Sequence, residues 1–160
     1  MKQELINRFR YLWIWELINA LIVFPGLLFV LGRNIPIGLS ALLATGTVCI
    51  LLVIGSIFAF TKYRDLKNGT QNISEYERAF RRLRWMIPLW LLVVAVIIYL
   101  QFRVAVMEEI LLSGLLYGLA ILEYINYFQF QLMYDNGNDL KYLVSHRRLK
   151  RGLIAREFDW

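Results

Sequence analysis

Four long apolar stretches, separated by charged segments, leave this chain few folds to choose from. Each comes near the about 20 residues that a helix needs to cross a hydrocarbon core about 30 Å thick at about 1.5 Å per residue. No water reaches the backbone inside lipid, so each stretch must satisfy its own amides as a helix. With 59% hydrophobic and 15% aromatic residues among 160, too little polar material remains to cover a water-soluble globule of this size. The expected fold is an all-α bundle of four transmembrane helices in one integral membrane domain. Its spans are expected at about 11–31, 37–60, 85–107 and 110–134. Lys2, Arg8 and Arg10 precede the first span as they would in a signal peptide, but the apolar run is too long and lacks a small-residue cleavage pattern. An uncleaved first helix is expected.

Positive charge sets the orientation, because Lys and Arg near helix ends resist translocation. Of the 18 Lys and Arg residues, only Arg33 and Arg103 fall in the two connections on the far side. The others lie in the N-terminal segment, the central loop 61–84 and the tail 135–160. Both termini and the central loop are therefore expected in the cytoplasm.

Within that loop, Ser74-Glu75-Tyr76-Glu77 has the pattern of a capping box and predicts a helix start. Tyr76, Phe80, Leu83 and Ile87 follow at helical spacing, with Arg78, Arg81, Arg82 and Arg84 around them. This is the pattern of a basic amphipathic segment before the third helix. Its apolar face could enter the headgroup boundary while the arginines meet anionic phosphates, although their main expected role is to enforce topology. Pro88 would bend the segment into the third span. Asn68-Gly69-Thr70 and Asn72-Ile73-Ser74 match the glycosylation triplet but read as turns on the cytoplasmic side. Further along, Asp135-Asn136-Gly137-Asn138-Asp139 lacks the glycine and glutamate of a calcium loop and reads as a polar turn. Arg147, Arg148, Lys150 and Arg151 form a second basic run, with Gly152 as its expected helix stop. Without aromatic interleaving, this run points to juxtamembrane anionic lipid rather than nucleic acid.

Polar residues inside the spans carry the sharpest functional signal. Glu16-Leu17-Ile18-Asn19 in the first helix and Glu123-Tyr124-Ile125-Asn126 in the fourth each place a carboxyl and an amide on one helical face. Such groups turn toward the bundle interior or a wet cavity, and both pairs fall in the cytoplasmic half, where they could meet. Carboxyls brought together or removed from water can exchange protons near neutrality. The favoured expectation is plainer, that protonated Glu and Asn clip neighbouring helices together through hydrogen bonds, each contributing about 0.6 kcal/mol.

Small residues at Gly38, Ala41, Thr45, Gly55 and Ala59, and at Gly114 and Gly118, suggest close helix contacts within the bundle or between copies. Pro25-Gly26 is expected to kink the first helix and free the carbonyl of Leu21. Arg8-Phe9-Arg10 and Arg82-Leu83-Arg84, with Asp65-Leu66-Lys67 and Asp139-Leu140-Lys141, echo one another at a shared offset. Basic residues at cytoplasmic helix ends account for this echo more readily than duplication does.

The stretch from Leu122 through Gln131-Leu132-Met133-Tyr134-Asp135 to Asp139-Leu140-Lys141 resembles small bacterial polytopic membrane proteins sometimes labelled general stress proteins. The resemblance implies a bacterial plasma membrane and a four-span layout, and it carries over no activity or site residue. No HExxH pair or Gly-x-Ser-x-Gly elbow is present, and His146 is the single histidine. The leading expectation is a non-enzymatic accessory or scaffold protein without cofactor, whose basic face contacts anionic lipid, a protein partner or a second copy. The alternative is a small oligomeric transporter or channel that handles protons or cations through Glu16 and Glu123.

Overall fold

A computed structural model describes residues 2–132, 145 and 149–160. It is helical, with four helices long and apolar enough to cross a membrane. We name them α1 (Lys2–Leu31), α2 (Leu39–Asn68), α3 (Glu77–Gln101) and α4 (Met107–Phe128), and a short fifth helix α5 spans Leu153–Glu157. Successive helices run antiparallel. The starts of α1 and α3 and the ends of α2 and α4 therefore share one end of the bundle, the basic end.

α2 is the central helix and packs against α1, α3 and α4. Its interior positions explain why: Ala41, Ala44, Thr45, Gly55 and Ala59 are buried and let neighbouring backbones approach closely. Val48, Leu51 and Phe58 fill the space between them, and with Tyr127, Phe128 and Ile154 they form the core. The expected small-residue face of α4 behaves differently. Among the described residues nothing from another helix lies within 4 Å of a methyl placed on Gly114 or Gly118, so no neighbouring helix requires a glycine at either position.

The helix ends also depart from expectation. α2 continues beyond residue 60 to Asn68, and α3 is preceded by a 3-10 turn over Asn72–Tyr76, so the central loop 61–84 is largely helical. Its turn is short, and Gly69 takes a left-handed conformation (φ 70°) that ends α2. The Ser74 capping box does not form: the Ser74 hydroxyl bonds to the Gln71 carbonyl instead. Buried Asp65 performs the capping from the preceding helix, accepting from Thr70 Oγ1 at 2.6 Å and from the amides of Asn72 at 3.0 Å and Ile73 at 2.8 Å. Asp65→Ala would strand these donors and should lower stability by about 1–3 kcal/mol, read as a reduced unfolding free energy of the purified protein in detergent.

α3 ends at Gln101 rather than near 107, and α4 runs from Met107 to Phe128 rather than from 110 to 134. Glu108 and Glu109 thus open α4, where carboxyls favour a helix N-terminus. At this end Glu109 is buried against the start of α2. Ser40 Oγ bonds to its carboxyl at 3.3 Å and to Ser113 Oγ at 2.9 Å, and the Ser40 amide donates to Gln101 Oε1 at 3.1 Å.

Two prolines are absorbed in different ways. Ahead of Pro25, α1 widens into a π-helical turn over Asn19–Val23, with the Phe24 amide donating to the Asn19 carbonyl. In α3, Pro88 cannot donate to the carbonyl of Arg84, and the Tyr124 hydroxyl of α4 donates there instead at 3.0 Å.

The expected apolar face of the basic segment is divided: Tyr76 is exposed and Leu83 half-buried, while the other two residues pack into the bundle. Phe80 and Ile87 are buried, and Phe80 packs edge-on against Phe58. Phe158 from the C-terminal segment packs against both rings, 6.5 Å from Phe58 and 5.9 Å from Phe80. That segment is a further correction to the expected tail. Gly152 precedes a helix instead of ending one, and Ile154 and Ala155 are buried against the bundle. Phe130 and Arg151 form an isolated antiparallel bridge, the Gly152 amide donates to Gln129, and Lys62 pairs with Glu157. The expected turn at 135–139, the Asp139-Leu140-Lys141 triplet of the internal echo and the basic residues Arg147 and Arg148 lie outside the described residues.

Candidate functional site

The helices beside α2 leave a cavity of about 380 Å³ between α1 and α4, toward the basic end. Glu16 and Asn19 enter it from α1, and Glu123 and Asn126 from α4. The structure thus brings both sequence-predicted pairs to one place. Helical spacing explains the pairing within each helix, since residues three apart share a face. The antiparallel arrangement and the common depth of the two pairs explain how they come to face each other.

Tyr127 joins them. It lies four residues beyond Glu123, is buried, and donates its hydroxyl to Glu16 Oε1 at 2.8 Å. Glu123 and Asn126 line the same cavity beside this hydroxyl. Asn126 Oδ1 in turn accepts the amide of Leu132 at 2.9 Å, fixing the chain as it leaves α4. Glu16 is 7% exposed, and its second oxygen has no hydrogen-bond partner among the described residues.

Gly55 of α2 makes this contact possible. A Cβ at that position would stand 2.5 Å from the Tyr127 hydroxyl and 2.6 Å from Glu16 Oε2. Beside it, the Ser56 hydroxyl donates to the Trp13 carbonyl at 2.9 Å, holding α1 and α2 in register where Glu16 crosses. The π turn starting at Asn19 lies directly after this crossing, and such turns often occur at functional positions.

The cavity wall is mixed. Phe9, Trp15 and Leu52 supply apolar surface, and Arg8 and Arg156 bring positive charge to its outer part. Arg156 arrives on α5, beside Leu153. Sequence reasoning missed this segment as well as Tyr127. The spacing of Tyr127 from Glu123 was a usable signal, and so was the apolar triplet Leu153-Ile154-Ala155.

The predicted headgroup residues separate into groups. Arg78, Arg81 and Arg82 are exposed on α3. Arg84 turns aside, with its guanidinium 5.5 Å from the centre of the Trp160 ring. Arg151 pairs with Asp159 at 2.5 Å, and the Lys150 carbonyl accepts from the amide of Gln131 at 2.8 Å. Among the described residues no group of three or more His, Cys, Asp or Glu side chains is placed to hold a metal ion. The arrangement offers two carboxyls, two amides and a phenol facing an aromatic wall, a set suited to a proton, a cation or a small amphiphile carrying positive charge. The chain matches no family model, no curated protein and no solved structure, so its functional reading rests on its own residues.

Proposed function

We propose that this chain is a non-enzymatic integral membrane protein that binds a proton or cation at Glu16 and Glu123 and passes it across the bilayer. Both termini would lie in the cytoplasm, as the distribution of Lys and Arg directs. The observation that carries the reading is the convergence of Glu16, Asn19, Glu123 and Asn126 on one cavity between α1 and α4. Intramembrane carboxyls that face a cavity commonly mark ion pathways. A buried carboxyl oxygen without a partner is costly, and a proton or cation on Glu16 Oε2 would relieve that cost.

Flux in proteoliposomes tests the proposal. Under an imposed pH gradient the parent protein should collapse the gradient faster than empty vesicles, and Glu16→Gln/Glu123→Gln should reduce the rate to the empty-vesicle level while the protein stays folded. Gradient collapse that survives the double replacement would reject a carboxyl mechanism.

A second reading draws on the Tyr127–Glu16 bond, which ties α1 to α4 across Gly55 and would serve a scaffold equally well. It expects no flux from the parent. It also expects Glu16→Gln to keep the clip, because an amide oxygen still accepts from Tyr127.

A further inference from the structure

α3 enters the apolar region with two unlike faces. Phe80 and Ile87 are buried in the bundle, whereas Arg78, Arg81, Arg82, Trp85 and Met86 face outward and bound an open groove of about 450 Å³. Positions 78, 81, 82 and 85 follow helical spacing, so the three guanidiniums and the indole form one continuous stripe. Trp85 is 72% exposed and Met86 61%, and the apolar run of α3 begins at these residues. The groove therefore straddles the level where a membrane passes from headgroups to acyl chains.

Its two halves ask for different chemistry. The basic half needs an anion: Arg78 and Arg82 have no ion-pair partner among the described residues, while Arg81 is held by Glu77 at 2.5 Å. The apolar half needs hydrocarbon over Trp85 and Met86. A soluble anion would satisfy only the first half and a neutral lipid only the second. We propose that this groove binds an anionic phospholipid, with its phosphate on Arg78 and Arg82 and an acyl chain along Trp85 and Met86. Arg84 takes no part because it is engaged with Trp160, and Arg81, 5.9 Å from the same ring, lies between the two roles.

The test uses the full-length protein in detergent, with lipid retention read by native mass spectrometry. The probes are phosphatidylglycerol, phosphatidylcholine with the same chains, and glycerol phosphate. The parent should retain phosphatidylglycerol over phosphatidylcholine. Arg78→Gln/Arg82→Gln should weaken that retention by about fivefold for each arginine, and Arg78→Lys/Arg82→Lys should keep most of it. Trp85→Ala/Met86→Ala should lower retention of both lipids, and glycerol phosphate should compete poorly. All these side chains are exposed, so the variants should keep the parent's melting temperature. Equal retention of the two lipids by the parent, or unchanged phosphatidylglycerol retention in the Gln variant, would overturn the proposal. Full competition by glycerol phosphate would reassign the groove to soluble phosphate, and loss of retention only on replacing Arg147 and Arg148 would move the lipid to the tail.

Discussion

Gly55→Val should disrupt the bundle where α1, α2 and α4 meet, lowering stability by about 1–3 kcal/mol, with about 0.6 kcal/mol more if the Tyr127–Glu16 bond is lost. The cause is steric. Even the first added carbon would stand 2.5 Å from the Tyr127 ring and hydroxyl, well inside contact distance. The ring has little room to retreat, because Tyr127 is 2% exposed and shares its surroundings with Leu51, Phe58 and Phe128. Unfolding of the purified protein in detergent measures the loss. Adding Tyr127→Leu should restore part of it by vacating the space the new side chain enters, and a double-mutant cycle would show that coupling. If Gly55→Val and the parent unfold alike, the close three-helix contact described above is wrong.

The second large effect concerns the seating of α5. A Cβ on Gly152 would stand 2.6 Å from the Tyr127 carbonyl oxygen and 2.9 Å from that of Asn126, and both are backbone atoms at the end of α4. A side chain there has no flexible neighbour to displace, so Gly152→Val should lift the C-terminal segment away. Ile154, fully buried in the parent, reports the change. In a Cys49→Ala background, a cysteine at position 154 should react slowly with a thiol reagent in the parent. It should react about 5- to 150-fold faster with Gly152→Val, the range that corresponds to an overpacking cost of about 1–3 kcal/mol. Equal labelling rates would mean that α5 is not held where the structure places it.

Much of the architecture was legible from hydropathy alone, because a span must be apolar over about 20 residues and few other segments are. Helix ends were harder to read. Near the headgroups helices tolerate charge, so α2 could run on through Lys62, Arg64 and Lys67 to Asn68 without any apolar signal marking its end. The Ser74 capping pattern failed because Asp65, nine residues earlier, reaches the same turn from a rigid helix and caps it with both oxygens. The candidate site was readable at Glu16, Asn19, Glu123 and Asn126, since polar groups stand out against apolar neighbours. Tyr127 did not stand out, because a phenol suits a membrane interface as readily as a buried hydrogen bond. Gly55 was legible only as one of the small residues expected at a close helix contact, because which side chains meet there depends on the elements that approach it, and Arg156 has no local sequence mark.

The dependence of the cavity on α5 also has a consequence for biogenesis. Leu153 and Arg156 complete a wall begun by Arg8, Phe9 and Glu16. At about 5–20 residues per second, the 140 positions from Glu16 to Arg156 take about 7–28 s to synthesise. In a chain that enters a membrane as proposed, the carboxyl of Glu16 would pass that interval without its finished surroundings, first lacking Tyr127 and then the segment that carries Arg156. A ribosome-bound chain stalled after α4 would therefore present an unfinished polar groove within the bilayer, a surface that an insertion chaperone could shield or a membrane protease could recognise.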